Sequence, residues 1–183
     1  MSLAVLTLPG WQGSGPTHWQ SRWEALHGDR RVEQHDWLLP RRGDWMARLD
    51  EVLLAEPAPV LLAAHSLGCQ LVAAWAAHSR HTARVRAALL VAPPDTERED
   101  LPAALLGWRP IPRGRLPFRA TVVASRDDPY CAPERAGAMA QAWGAAFVLA
   151  GAAGHLNADA GLGDWPAGRA LLDALRSDDP TAN

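Results

Sequence analysis

The chain has 183 residues, 48% apolar and 21% charged, with a formal charge of −2, which suits a single globular core and gives no electrostatic reason for nucleic acid or an anionic membrane as partner. Its two cysteines, Cys69 and Cys131, form no disulfide framework or zinc-site spacing, so a reducing cytoplasm is the expected setting.

The first predicted element is a strand over residues 3–8, ended by Pro9-Gly10. This stretch carries no basic leader and no apolar run long enough for a signal peptide or membrane span. A glycine-rich loop then leads to a helix over about 17–27, with Thr17 as N-cap and Trp19, Trp23 and Leu26 on its apolar face. Gly28 ends it. Residues 31–37 read as a second, more polar strand near an edge. A helix over about 44–55 follows, with Trp45, Leu49, Val52 and Leu53 inward, and Pro57 and Pro59 break the chain after it.

Residues 60–64 form the short apolar run of a strand covered on both faces, and from Leu67 the period becomes helical through Leu71, Val72 and Trp75. The change falls at Ser66. Small-His-Ser-Leu-Gly between a strand and a helix matches a nucleophile elbow, which presents the serine hydroxyl above the strand ends. Ala64 stands where that motif usually has its first glycine, and Gly68 suits a close approach of strand and helix.

Further strands are expected over 86–92, 119–125 and 145–150, with helices at about 132–143 and 166–176. That alternation predicts an α/β fold: one domain over residues 1–176, a mostly parallel sheet of about six strands, and helices on both faces. Residues 177–183 read as a solvated tail. The stretch 95–116 leaves the pattern after a strand end, where open α/β sheets bind ligands. It reads as a small lid or pocket wall, with Trp108 a candidate substrate contact, or equally as an ordinary surface helix and loop.

A serine hydroxyl needs a base to take its proton and an acid to orient that base. Asp127-Asp128-Pro129 follows one predicted strand, and Gly151-Ala152-Ala153-Gly154-His155 follows the next. Ser66, an aspartate and His155 therefore reach the same edge of the sheet, in an order known for one class of hydrolases. Asp128 is the preferred acid, with Asp127 an alternative. The amides of Leu67 and Trp11 are the candidate oxyanion donors, since Gly10 lets the backbone come close.

Other readings are weaker. His65 adjoins the serine, but neighbours on an elbow point apart. Cys69 reads as a buried inert thiol, and His78 and His81 as helix-end residues without a third metal ligand. The glycines after the first strand are spaced G-x-x-G-x-G, which does not suit a dinucleotide turn.

Leu8-Pro9-Gly10 with the following Gly-Ser-Gly, His18-Trp19 and Trp23, His65-Ser66-Leu67-Gly68, Asp127-Asp128-Pro129 and Gly154-His155 together resemble the small serine-hydrolase family that includes retinoblastoma-binding protein 9. The resemblance implies a compact α/β-hydrolase fold with a minimal lid, Ser66 as nucleophile, His155 as base and Asp128 as orienting acid. The expected activity is hydrolysis of small to medium acyl esters, with no metal or organic cofactor. Amide or thioester hydrolysis by the same residues is an alternative. A non-enzymatic interaction module is another, and the family's binding-protein name leaves room for a protein partner.

Overall fold

Runs of apolar residues with no polar alternation demand strands covered on both faces, and the two longest such runs become central strands. The computed structural model describes residues 3–176; the expected tail from Ser177 lies outside the described residues. In chain order the elements are β1 (Val5–Leu8), α1 (Trp19–His27), β2 (Arg30–Arg31), α2 (Arg42–Ala55), β3 (Val60–His65), α3 (Leu67–His78), β4 (Val85–Val91), β5 (Arg119–Ala124), α4 (Pro133–Trp143), β6 (Ala146–Leu149) and α5 (Pro166–Arg176). The six strands pair in the order β2-β1-β3-β4-β5-β6, every pair parallel.

The alternation of side chains along each strand divides the core in two. Leu6, Leu62, Leu90 and Val122 meet Trp45, Leu49, Leu71 and Trp143 from α2, α3 and α4 on one face. Val5, Leu61, Leu89 and Val123 meet Trp19, Trp23, Leu172 and Leu175 from α1 and α5 on the other. Trp19, Trp23, Trp45, Trp75, Trp108 and Trp143 are fully buried. Their indole N–H groups tie loops to the core: Trp19 donates to Leu156 O at 3.0 Å and Trp23 to Asp164 O at 2.7 Å.

Strand order reverses between β1 and β3, so the chain leaves both strands side by side at their carboxyl ends, where doubly wound sheets open a crevice. Leu8 pairs with Ala64, which brings the Pro9–Gly10 turn against the Ser66 elbow. Two glycines allow that contact. A Cβ on Gly10 would lie 2.8 Å from Ser66 Cβ, and one on Gly68 only 2.3 Å from the Leu8 carbonyl oxygen. Ala64 is tolerated at the imperfect motif position, fully buried in the core.

Several local expectations change. The second strand is only Arg30–Arg31, because the residues after it leave the sheet for the glycine-rich loop, where the Trp37 carbonyl accepts the Gln12 N–H at 3.0 Å. The N-cap of α1 is His18, whose Nδ1 accepts the Gln20 N–H, not Thr17. Leu26 points outward, 56% exposed, while Trp19 and Trp23 stay inside. Among the described residues, no helix is long and apolar enough to cross a membrane.

Candidate active site

Ser66 takes φ 53° and ψ −125° between β3 and α3, a backbone region a non-glycine residue occupies at a cost and which clusters at functional turns. The sharp turn lifts the side chain off the strand end and puts the first amides of α3 beside it. His155 Nε2 lies 2.8 Å from Ser66 Oγ. On the other side of the same ring, Nδ1 lies 3.0 and 2.9 Å from the two Asp128 oxygens. A carboxylate only accepts, so Nδ1 carries the proton and Nε2 offers its lone pair to the serine hydroxyl. The Asp128 and His155 side chains are only 3% and 9% exposed, which strengthens this contact relative to one in water.

The two adjacent aspartates are separated by the fold. Asp128 faces His155 and also accepts the Tyr130 N–H at 2.9 Å. Asp127 turns along the loop, accepting the Ser125 hydroxyl at 2.7 Å and the Gly154 N–H at 2.9 Å. These bonds hold its carboxyl below the usual carboxylate range. Asp127 and Ser125 thus shape the turn that carries His155, with the Ala153 N–H donating to Ser125 Oγ at 2.8 Å. His65 adds a third tether, its Nε2–H donating to the His155 carbonyl at 2.9 Å. Sequence reasoning found neither the Ser125 nor the His65 contact; a serine and a histidine ending strands beside the expected site were the available signals.

Leu67 is the first residue of α3, so its N–H has no partner within the helix. The Trp11 N–H follows Gly10 in the turn packed on Ser66. Neither amide donates to a protein acceptor among the described residues. The Trp11 indole is engaged elsewhere, donating to Leu38 O at 3.0 Å.

A cavity of about 560 Å³ opens over Ser66, floored by Gly10, His18, His65 and His155 and walled by Leu101 and Leu105. The volume suits a small or medium ligand. The first part of the stretch 95–116, from Asp95 to Leu105, is therefore a wall of this cavity. Arg135 of α4 ties it down through Asp95 and Glu97, all at 2.9 Å. Trp108 does not reach the cavity: the 3₁₀ turn Ala103–Trp108 rotates it inward, where it is 1% exposed and its indole donates to Pro40 O at 2.7 Å. It is a packing residue, contrary to expectation.

Cys69 and Cys131 are free and buried; burial pushes the Cys131 thiol up to about 12 and raises Cys69 as well. His78 Nδ1 lies 2.8 Å from Ala74 O and His81 Nδ1 2.9 Å from Asp50 Oδ2.

Burial, then the Arg31 guanidinium and His155, lower His18 from 6.5 to about 4. His65 is lowered too, by burial first and then by His18 and His155. The unfolded chain therefore binds more protons than the folded one between these values. Stability is full above about pH 6.5 and falls as pH drops toward 4, by about 3 kcal/mol from His18 alone. Urea unfolding at pH 7.5 and 4.5 checks this, with a smaller fall expected in His18→Asn; equal free energies at the two pH values would mean that His18 protonates freely in the fold.

A family model described as serine hydrolase matches residues 5–174. A structure described as a YdeN-like hydrolase from Pectobacterium atrosepticum is 28% identical, covering 96% of this chain and 94% of its own, with a TM-score of 0.81. The ydeN gene product of B. subtilis is 21% identical over 95% of this chain and 98% of its own, at a TM-score of 0.73. A thermophilic esterase from Thermogutta terrifontis is 18% identical over 97% and 92%, at 0.67. The last two establish likeness of fold. No curated protein sequence matches the chain.

Proposed function

The chain belongs to the serine hydrolase family, and from that premise we propose that it is a carboxylesterase acting on small to medium acyl esters through Ser66, His155 and Asp128. The observation that carries the reading is the continuous contact Ser66 Oγ–His155 Nε2 at 2.8 Å and His155 Nδ1–Asp128 Oδ2 at 2.9 Å. A purely binding role gives no reason for that chain of donors and acceptors beneath a cavity.

In this reading Ser66 Oγ attacks the ester carbonyl as its proton passes to His155 Nε2. Asp128, buried beside the ring, stabilises the imidazolium and keeps the ring oriented. The negative charge that develops on the carbonyl oxygen is met by the Leu67 and Trp11 amides, both otherwise unengaged among the described residues, with the N-terminus of α3 adding a favourable field. His155 then returns the proton to the leaving alkoxide. Water, deprotonated by the same nitrogen, attacks the acyl-serine and releases the acid. The mechanism uses only groups of the chain and water. We place the protein, on its sequence motifs, in the branch that includes retinoblastoma-binding protein 9, with a cytoplasmic setting.

A fluorophosphonate probe tests the nucleophile directly, because displacement of fluoride at phosphorus requires an activated serine. Mass-resolved labelling is expected at Ser66 and is expected to fade in His155→Ala. An unlabelled, folded wild type would sink the esterase reading and favour an interaction module.

A further inference from the structure

Acyl transfer through Ser66 and His155 constrains where the two halves of an ester can lie. The carbonyl oxygen turns toward the Leu67 and Trp11 amides, and the leaving oxygen must come within hydrogen-bond reach of His155 Nε2, which returns a proton to it. The alcohol half therefore rests on whatever open surface borders the His155 ring. Among the described residues, two aromatic rings pack on that histidine. His65, with centroids 4.9 Å apart, is 5% exposed and offers almost no surface. Tyr130, with centroids 4.6 Å apart and planes at 76°, is 50% exposed and lines the cavity over Ser66. His155 Nε2 is itself 2.8 Å from Ser66 Oγ, so the open ring stands one residue away from the attacking atom.

The backbone of Tyr130 is held from both sides. Its N–H donates to Asp128 Oδ1 at 2.9 Å, and its carbonyl accepts the Asp95 N–H at 3.0 Å. The Pro129 carbonyl just before it accepts from Arg98 Nη1 at 2.7 Å. These bonds tie the residue to the orienting acid on one side and to the cavity wall on the other, which fixes the ring beside the reacting groups. Of the large apolar and aromatic side chains left exposed among the described residues, Tyr130 is the one that lines this cavity. An open phenol ring is a flat surface on which a second aromatic ring gains more than its buried area alone supplies, through edge-to-face or offset packing.

We propose that Tyr130 binds the alcohol half of the substrate, so that preferred esters carry an aromatic ring joined to the ester oxygen directly or through a short link, as in phenyl and benzyl esters. This specificity rests on the assignment of Ser66 as nucleophile and of His155 as the acid that frees the alcohol. It concerns formation of the acyl-serine, since the alcohol has left before water attacks.

The test measures kcat/KM for benzyl, cyclohexylmethyl and methyl butanoate, which share one acyl group, with each value divided by the rate of hydrolysis by hydroxide. Wild type is expected to prefer benzyl over cyclohexylmethyl, a saturated ring of similar size, by about fivefold, and over methyl by about tenfold or more. Tyr130→Leu keeps apolar bulk without a ring and is expected to bring the benzyl to cyclohexylmethyl ratio within about twofold of unity. Tyr130→Phe is expected to keep that ratio. Loosened packing of His155 slows all three esters alike, so the ratio reads contact with the alcohol and not a structural role. A wild-type ratio near one overturns the proposal without any variant. So does a preference that survives in a folded Tyr130→Leu protein, and so does its loss in Tyr130→Phe, which would assign it to the hydroxyl and not the ring. Fluorophosphonate labelling of wild type separates the two levels. Labelled Ser66 with a ratio near one overturns the role of Tyr130 alone, whereas no labelling and no ester turnover overturns the nucleophile and this specificity together.

Discussion

Ser66→Ala is expected to lower ester turnover by at least about 10⁴-fold while leaving the urea unfolding midpoint close to wild type. Alanine keeps the Cβ that Gly10 packs against, and it keeps the strained backbone at φ 53°. What disappears is the hydroxyl and its 2.8 Å contact with His155. Cavity floor, the proposed oxyanion amides and the Asp128–His155 pair all remain, so the loss isolates the proposed nucleophile from the fold. The measurement is kcat/KM on a p-nitrophenyl ester alongside a denaturation curve. A folded variant that retains turnover within tenfold of wild type would remove Ser66 from the chemistry.

The second large effect separates two neighbours. Asp128→Asn is expected to cost about 10⁴-fold in kcat, because an amide facing Nδ1 can present its own N–H and favour the wrong tautomer of His155, and because it no longer stabilises the imidazolium. Asp127→Asn is expected to stay within about tenfold. Its side-chain oxygen can still accept the Gly154 N–H and the Ser125 hydroxyl, which are structural bonds of the loop. Equal losses in the two variants would contradict the assignment, and a larger loss in Asp127→Asn would reverse it.

The positions proposed to carry the chemistry are legible in the sequence because each follows an apolar strand. In a parallel sheet every strand ends at the same edge, so Ser66, Asp128 and His155 must emerge together wherever β3, β5 and β6 form. The close-approach glycines are legible too, since Gly10 and Gly68 flank a place where two strand ends and a helix crowd. Periodicity serves less well in short polar segments. Arg30–Arg31 is paired over two residues only, and nothing in the composition of 31–37 says where pairing stops. Thr17 is a reasonable cap by residue type, but the cap is decided by which side chain meets the Gln20 N–H.

The sequence by itself determined the α/β layering, the elbow and the set of residues that could meet above it, because hydrophobic period and turn chemistry act locally and need no knowledge of distant neighbours. Only the tertiary structure decided which aspartate turns to His155, that Trp108 is buried under the cavity wall, and that His18 caps α1 from the cavity lining. Each of these depends on groups far apart along the chain, such as the Trp19 indole that holds Leu156 O next to His155. Side-chain direction at such points is set by packing and hydrogen-bond partners brought together by the fold, and residue type alone carries no record of them.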